Sequence, residues 1–505
     1  MSGTQGAHIV AVPPNEWGHM RPMIAYLCRL LALDLHLTVV LITAESAVKK
    51  AIVEVATQLA GEGIPSASSR LKIVPTAIHM FWPAESYLST LQQTYLEVIE
   101  ERQPDLALLE SMIHPFFDFV RSTAKKPIKI GCWLPVALPS FSSMAPICYI
   151  RDDPDKYVKH VEEIMSTQGL GYMEANNKAY LELVDGKVIR IPGFPDMSDY
   201  EGFPQEPPVL LPVAMVVDWI YGIREADILV TTTAGALERQ GLNAFGSWLQ
   251  TIPKKAEILS VGPLTSKRIP EVVEKEKEQS DSIGLTSFLE RVHKEKGEKS
   301  AIYISFGSVL LPNDIEMLYA VLRVLKELDI PVIIVMSDAA SAALPEDLKG
   351  NKNTFIGPWL PQQYILAHPV IGWFLSHCGI NGTLESLCLR VPMICWPLFA
   401  DQPVLSILVS QVYGCGYELS QVRLGYGLKY RASTGQTPTG TIEDVTSEAK
   451  EVFQRAFFNK DERAKIDANV AKMADSLDAA WEEGGEARDN SLKLLKYIES
   501  VRSQA

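Results

Sequence analysis

Short apolar runs alternate with longer helical patterns along most of the chain, and this alternation constrains the fold more than any other feature. The runs His8–Val12, Leu37–Ile42, Leu71–Pro75, Leu106–Glu110, Ile128–Leu134, Ile228–Thr232 and Ile258–Gly262 read as strands. So do Ala301–Phe306, Pro331–Met336, Thr354–Ile356, Ile371–Leu375 and Pro392–Cys395. Helical patterns between most of them favour parallel sheets covered by helices on both faces. The expected class is α/β. A chain of 505 residues exceeds one ordinary core, so two such sheets are expected, as two Rossmann-like domains. The charge-rich run Glu271–Asp281, bounded by Pro270 and Gly284, lacks a core stripe and reads as the linker between them.

Composition narrows the function classes. Hydrophobic residues make up 47% of the chain and charged ones 21%, as in a globular protein. The net charge of −14 argues against a nucleic-acid partner. The seven cysteines form no CxxC pair and read as buried thiols in a reducing compartment, so the expected location is cytoplasmic. No basic leader precedes the first strand. The longest apolar stretch, Val209–Ile223, carries Pro212 and Asp218 and is too short to span a bilayer. Nine histidines are scattered without metal-ligand spacing, so no metal is expected.

The stretch from Trp359 to Gln402 concentrates the chemistry. Ile371–Ser376 reads as a buried strand, and His377-Cys378-Gly379 as a tight turn in which Gly379 is free to take positive φ. Asn381 or Thr383 can cap the helix that follows, and its N-terminus suits a diphosphate. His377 and Asn381 offer side-chain donors there. Glu385 lies on the same helix face as Asn381, and a carboxylate suits a neutral diol such as a ribose. Trp359 offers a face for a flat base, and Asp401 with Gln402 offers partners for sugar hydroxyls.

This stretch resembles the signature box of the family 1 glycosyltransferases that use UDP-sugars. Trp359, Gln362, His377, Gly379, Asn381, Glu385, Pro392, Trp396, Pro397, Asp401 and Gln402 match at the family's spacing. The resemblance implies a GT-B fold, two Rossmann-like domains whose parallel sheets face a central cleft. It implies that Trp359 stacks on uracil and that Gln362 contacts the nucleoside. His377, Gly379, Asn381 and Gly382 would lie at the diphosphate, Glu385 at the ribose, and Asp401 and Gln402 at the sugar. Ile304–Ser308 resembles the first strand and turn of the family's second domain, with Gly307 and Ser308 near the diphosphate. Glu482–Val501 looks like the family's closing helix, which packs back on the N-terminal domain. The expected divisions are 1–265, a linker at 266–297, 298–480, and the closing helix at 481–505.

Departures from the box fall at three positions. Gly382 replaces a usual Ser, with Thr383 or a backbone N–H as the substitute. Ile380 replaces the Trp common in plant members. Arg390 stands where Gly is usual.

Catalysis would fall to the first domain. Gly18-His19, in the loop before a helix expected to begin near Pro22, resembles the family's G-H-x-x-P element. There the His deprotonates the acceptor, a task an imidazole suits. Glu110 stands at a strand end where the family has an Asp that orients the base, and Asp118 is a second candidate. The implied reaction is an inverting, metal-independent hexosyl transfer. Gln402 resembles glucose users, so UDP-glucose is the expected donor co-substrate, with no further cofactor. Phe81-Trp82, Phe116-Phe117, Pro139–Met144 and Trp219–Tyr221 suggest a small lipophilic or phenolic acceptor. The alternatives are a UDP-sugar-binding protein without activity, a sterol or lipid glucosyltransferase, and an epimerase.

Overall fold

A computed structural model describes residues 6–77, 85–137, 140, 142–143, 146–205, 214–265, 270–307 and 312–504. Of residues 85–87, 214, 270–275 and 504 only the backbone is described. The chain divides into two compact units. The first comprises Met1–Asp185, Val209–Lys267 and Ala479–Ala505, and the second Gly186–Pro208 and Arg268–Asp478.

The strands in chain order are β1 (His8–Val12), β2 (Thr38–Ala44), β3 (Leu71–Thr76), β4 (Leu106–Glu110), β5 (Lys129–Leu134), β6 (Val188–Ile189) and β7 (Met197–Ser198). They continue as β8 (Ile228–Thr231), β9 (Glu257–Ser260), β10 (Ala301–Ser305), β11 (Val332–Val335), β12 (Thr354–Gly357), β13 (Ile371–Ser376), β14 (Met393–Cys395) and β15 (Gly416–Glu418). The first unit holds a seven-stranded sheet, ordered β3-β2-β1-β4-β5-β8-β9, with every pairing parallel. The second holds a six-stranded sheet, ordered β12-β11-β10-β13-β14-β15, again all parallel. β6 and β7 form a separate antiparallel pair. Every residue of β1, β4, β10 and β13 is buried, as expected for central parallel strands covered on both faces.

In the first unit, the helix Trp17–Leu33 lays Met23, Tyr26, Leu27 and Leu30 against Ile9 and Ala11 of β1. Leu494 and Ile498 of the helix Glu486–Gln504 join the same core. Each such fully buried side chain contributes about 1.5–3 kcal/mol, enough to hold that helix in place. Tyr26 stacks on Trp133 at 5.7 Å, and the Arg29 guanidinium lies 4.3 Å from the centre of the Trp481 ring.

Three details differ from the sequence reading. The first helix begins at Trp17 rather than near Pro22, and Pro22 lies inside it. A proline in the second turn forfeits a single N–H while keeping helical φ, and apolar packing along the helix outweighs that loss. The stretch read as a linker carries the helices Pro270–Ser282 and Leu285–Lys296. In the second of these, Leu285, Leu289 and Val292 are buried at helical spacing. The short strand β15, too brief to show a run of its own, extends the second sheet beyond β14.

Candidate active site

In both sheets the strand order reverses beside the first strand, between β1 and β4 and between β10 and β13. Open parallel sheets bind ligands at the carboxyl ends of the strands flanking such a point.

In the second unit, β13 ends at Ser376 and the chain turns through His377, Cys378 and Gly379 into the helix Ile380–Cys388. Cys378, not Gly379, takes the left-handed conformation, with φ of 66°. The strain, about 1–2 kcal/mol, is offset because the Cys378 amide donates to Ser376 Oγ at 3.2 Å. Gly379 is extended (φ −63°, ψ 148°) and is itself the helix N-cap, so neither Asn381 nor Thr383 fills that place. Glycine is needed at 379 for space, since a Cβ there would lie 2.7 Å from His377 Nε2. Gly307, at φ +78°, closes the other side, where a Cβ would sit 2.9 Å from His377 Cε1. Two glycines thus frame the imidazole. Burial pushes the His377 imidazole down to about 4, so at neutral pH it is uncharged and acts as a hydrogen-bonding group. Positive charge at this point comes from the helix N-terminus, whose first turn includes Asn381 and Gly382.

Glu385 lies one turn further along, buried. Its Oε2 accepts from Gln362 Nε2 at 2.6 Å and its Oε1 from Gln363 Nε2 at 2.9 Å. Tyr303 on β10 donates to Gln362 Oε1 at 3.4 Å, which fixes the amide's orientation. A carboxylate offers about four lone-pair sites, so the two glutamine bonds leave capacity for a diol. A Cβ at Gly382 would meet Phe374 Cε1 at 3.6 Å and Gln362 Nε2 at 3.8 Å, both ordinary contacts. The hydroxyl missing at this position is therefore not excluded by space. Thr383 is not placed to supply it, because its Oγ1 is sealed in the interior without a hydrogen-bond partner among the described residues. A backbone N–H remains as the substitute.

Trp359 follows β12 and is 57% exposed, so its face is open to a ligand and does not belong to the core. Asp401 and Gln402 follow β14 and are both buried. Gln402 Oε1 accepts from the amides of Leu398 (2.8 Å) and Phe399 (3.1 Å), which leaves its NH2 as the donor end. Arg390 takes φ of 60° and pairs with Asp475 at 2.7 Å, on the side of the helix Lys460–Asp478. Because all strands run parallel, these loops leave one edge of the sheet. Across that edge the order is Trp359, then the Gly307 turn, His377 with its helix, then Asp401 and Gln402. Ser308 lies outside the described residues.

In the first unit, His19 stands in the first turn of its helix, not in a loop. Its amide and that of Met20 both donate to the Glu16 carbonyl at 2.9 Å. Burial lowers the His19 imidazole to about 4. Glu110 closes β4, the neighbour of β1, and is fully buried. It caps its own turn, with Oε2 accepting from the Met112 amide at 2.6 Å and Oε1 from Ser111 Oγ at 3.2 Å. Burial raises its carboxyl to about 8. Asp118 is exposed and lies 3.6 Å from Arg121. Phe116, Phe117 and Trp219, read as acceptor surface, are buried in the core. Phe116 meets Tyr95 edge-on at 5.4 Å. Phe81, Trp82, Pro139, Phe141 and Met144 lie outside the described residues.

The family described as UDP-glucoronosyl and UDP-glucosyl transferase matches residues 279–419. The UDP-glycosyltransferase eriJ of Hericium erinaceus is 69% identical over 502 residues, covering 98% of this chain and 99% of that protein. The chain belongs to the UDP-glycosyltransferase family. Nuatigenin 3-beta-glucosyltransferase of Solanum aculeatissimum is 30% identical over 269 residues, 52% of each chain. The crystal structure of Medicago truncatula UGT71G1 complexed with UDP-glucose superimposes with a TM-score of 0.70. That match covers 98% of both chains at 17% identity, and it shows the fold.

This UDP-glycosyltransferase has the GT-B fold and takes a UDP-sugar as donor. Two residues that hold the candidate site's side chains in place escaped the sequence reading. Gln363 bonds Glu385 but reads as a repeat of its neighbour. Tyr303 bonds Gln362 from inside a strand that reads as pure core. Among the described residues no cluster of three or more His, Cys, Asp or Glu is placed to hold a metal ion, and no helix is long and apolar enough to cross a membrane.

Proposed function

We propose that this UDP-glycosyltransferase moves glucose from UDP-glucose to a hydroxyl of a small lipophilic or phenolic acceptor, with inversion and with His19 as general base. The observation that carries the donor reading is the order of side chains across one sheet edge. An open aromatic face, a carboxylate held by two amides, a helix N-terminus beside a neutral imidazole, and a buried Asp–Gln pair follow the order base, ribose, diphosphate, hexose. UDP-glucose in the Medicago structure and the glucosyl transfer named for the Solanum relative support glucose as the sugar.

The proposed donor contacts belong to the second unit, and His19 belongs to the first. His19, neutral at physiological pH, takes the acceptor's hydroxyl proton. The oxygen forms a bond to the anomeric carbon while the bond from that carbon to UDP breaks, and UDP leaves with the electron pair. The helix N-terminus at Gly379 stabilises the departing charge. A single displacement converts an α-linked donor into a β-glycoside. Both carboxyl oxygens of Glu110 already serve its own turn, so an orienting bond to His19 would come in addition to those. Seven free thiols support a reducing, cytoplasmic setting.

The test is UDP release from UDP-glucose against phenols, flavonoids, sterols and hydroxylated fatty acids, with His19→Ala alongside. Acceptor-dependent release that vanishes in the variant, with a β-anomeric product by NMR, is the expected result. Donor binding without release for any acceptor would favour the binding-protein alternative.

A further inference from the structure

We propose that the segment 186–205 is a strap that positions the sugar end of the donor site through the helix beginning at Gln402. The proposal rests on the reading of Asp401 and Gln402 as sugar contacts. The strap comes from the first half of the sequence yet is built into the second unit. It contains β6, β7 and the single helical turn Asp199–Gly202, and that turn packs against the helix Gln402–Ile407. The helix runs on into the π-helical turn Leu408–Val412, and all six of its residues Gln402–Ile407 are buried, so its position follows what it packs on.

The strap is also keyed by buried charge. Glu201 accepts from the amides of Ser198 (2.8 Å) and Ser433 (3.1 Å), and its Oε2 lies 3.4 Å from Arg431 Nε. Arg431 reaches Glu418 at 2.8 Å, and Arg423 reaches the same carboxylate at 2.5 Å. All four charged side chains are buried. Glu418 ends β15 and pairs in register with Cys395, the last residue of β14, from which the chain runs on to Asp401. Gln205 Nε2 donates to the Val422 carbonyl at 2.8 Å, and the Leu424 amide to the Pro204 carbonyl at 3.0 Å. The turn is therefore fixed between the strand end that leads toward the sugar pair and the helix that carries it. Buried ion pairs are weak sources of stability but demand one geometry, which suits a positioning role.

Glu201→Gln keeps the side chain's shape and removes its charge. The expected result is a rise of about tenfold in KM for UDP-glucose, with inhibition by UDP changed by less than about twofold, since UDP lacks the sugar. Gln205→Ala, which strands no buried charge, should move the same ratio in the same direction even where Glu201→Gln folds poorly. Equal losses for UDP-glucose and UDP, or a fall in melting temperature with neither constant changed, would overturn the strap. Gln402→Ala separates the two readings. If it leaves KM for UDP-glucose unchanged, the sugar-contact reading fails and the strap falls with it. If it raises KM while neither strap variant does, the strap alone fails.

Discussion

Gln362 donates to Glu385 across 2.6 Å, and Gln363 donates to the other oxygen, so both carboxylate oxygens are fixed by amides. Hydrogen bonds to charged groups contribute about 1.5–3 kcal/mol, so on the proposed reading of Glu385 as the ribose contact the second glutamine is a substantial part of that site.

Gln363→Ala should therefore raise KM for UDP-glucose and weaken inhibition by UDP in parallel, by roughly tenfold. The parallel loss distinguishes a ribose effect from a sugar effect. Steady-state kinetics with UDP as competitive inhibitor reads both.

His19 gives a pH prediction of definite sign. Its imidazole is lowered to about 4, so the base form persists well below pH 6.5. The acid limb of kcat/KM, which reports the free enzyme, should fall below pH 5 and not near 6.5. Stability follows the same group. Between pH 6.5 and about 4 the unfolded chain binds a proton that the folded chain refuses, so stability is lost as pH falls through that window. His8 and His377, also lowered to about 4, add to the loss. Melting temperature should drop from pH 7 to pH 5, and less steeply in His19→Ala.

Glu110 carries the opposite sign. Its folded carboxyl is raised to about 8, so its contribution is present below pH 4.5 and is lost as pH rises toward 8. Glu110→Gln keeps an oxygen for the Met112 amide and removes the ionisation. The variant's melting temperature relative to the native chain should rise between pH 5 and pH 8. Near-normal turnover in the variant would show that Glu110 does not orient His19.

Two neighbouring glycines should respond in opposite ways. Gly382→Ser has room for its Cβ and adds a hydroxyl at the helix N-terminus, so KM for UDP-glucose should fall or hold. Gly379→Ala places a methyl 2.7 Å from His377 Nε2 and should displace the ring. A loss of about a hundredfold in kcat/KM is expected, with UDP inhibition weakened as well.

The sheets were legible because parallel strands buried on both faces leave continuous apolar runs, as at Ile371–Ser376. β15 was not, since three residues ending in a paired glutamate make no run. The spacing of the box marked residues that the second unit gathers along one sheet edge, but local backbone was harder to read. Gly379 was taken as the left-handed residue, yet the close approach of His377 reserves the glycine for space and passes positive φ to Cys378. The Glu271–Asp281 charges masked a helix, and the buried stripe at Leu285, Leu289 and Val292 lies just beyond them. Phe116 and Phe117 show the limit of reading aromatics as ligand surface, because burial depends on which helix face meets the sheet.

The chain passes between its two units at 185/186, 208/209, 267/268 and 478/479. Recombining two relatives at one junction within 266–297 would give Glu201 and Arg431 to different parents, and would likewise divide the helix Glu486–Gln504 from the core it completes. Hybrid transferases that exchange donor preference should therefore inherit Gly186–Pro208 together with Arg268–Asp478, as a single heritable module written in two separate stretches of the gene.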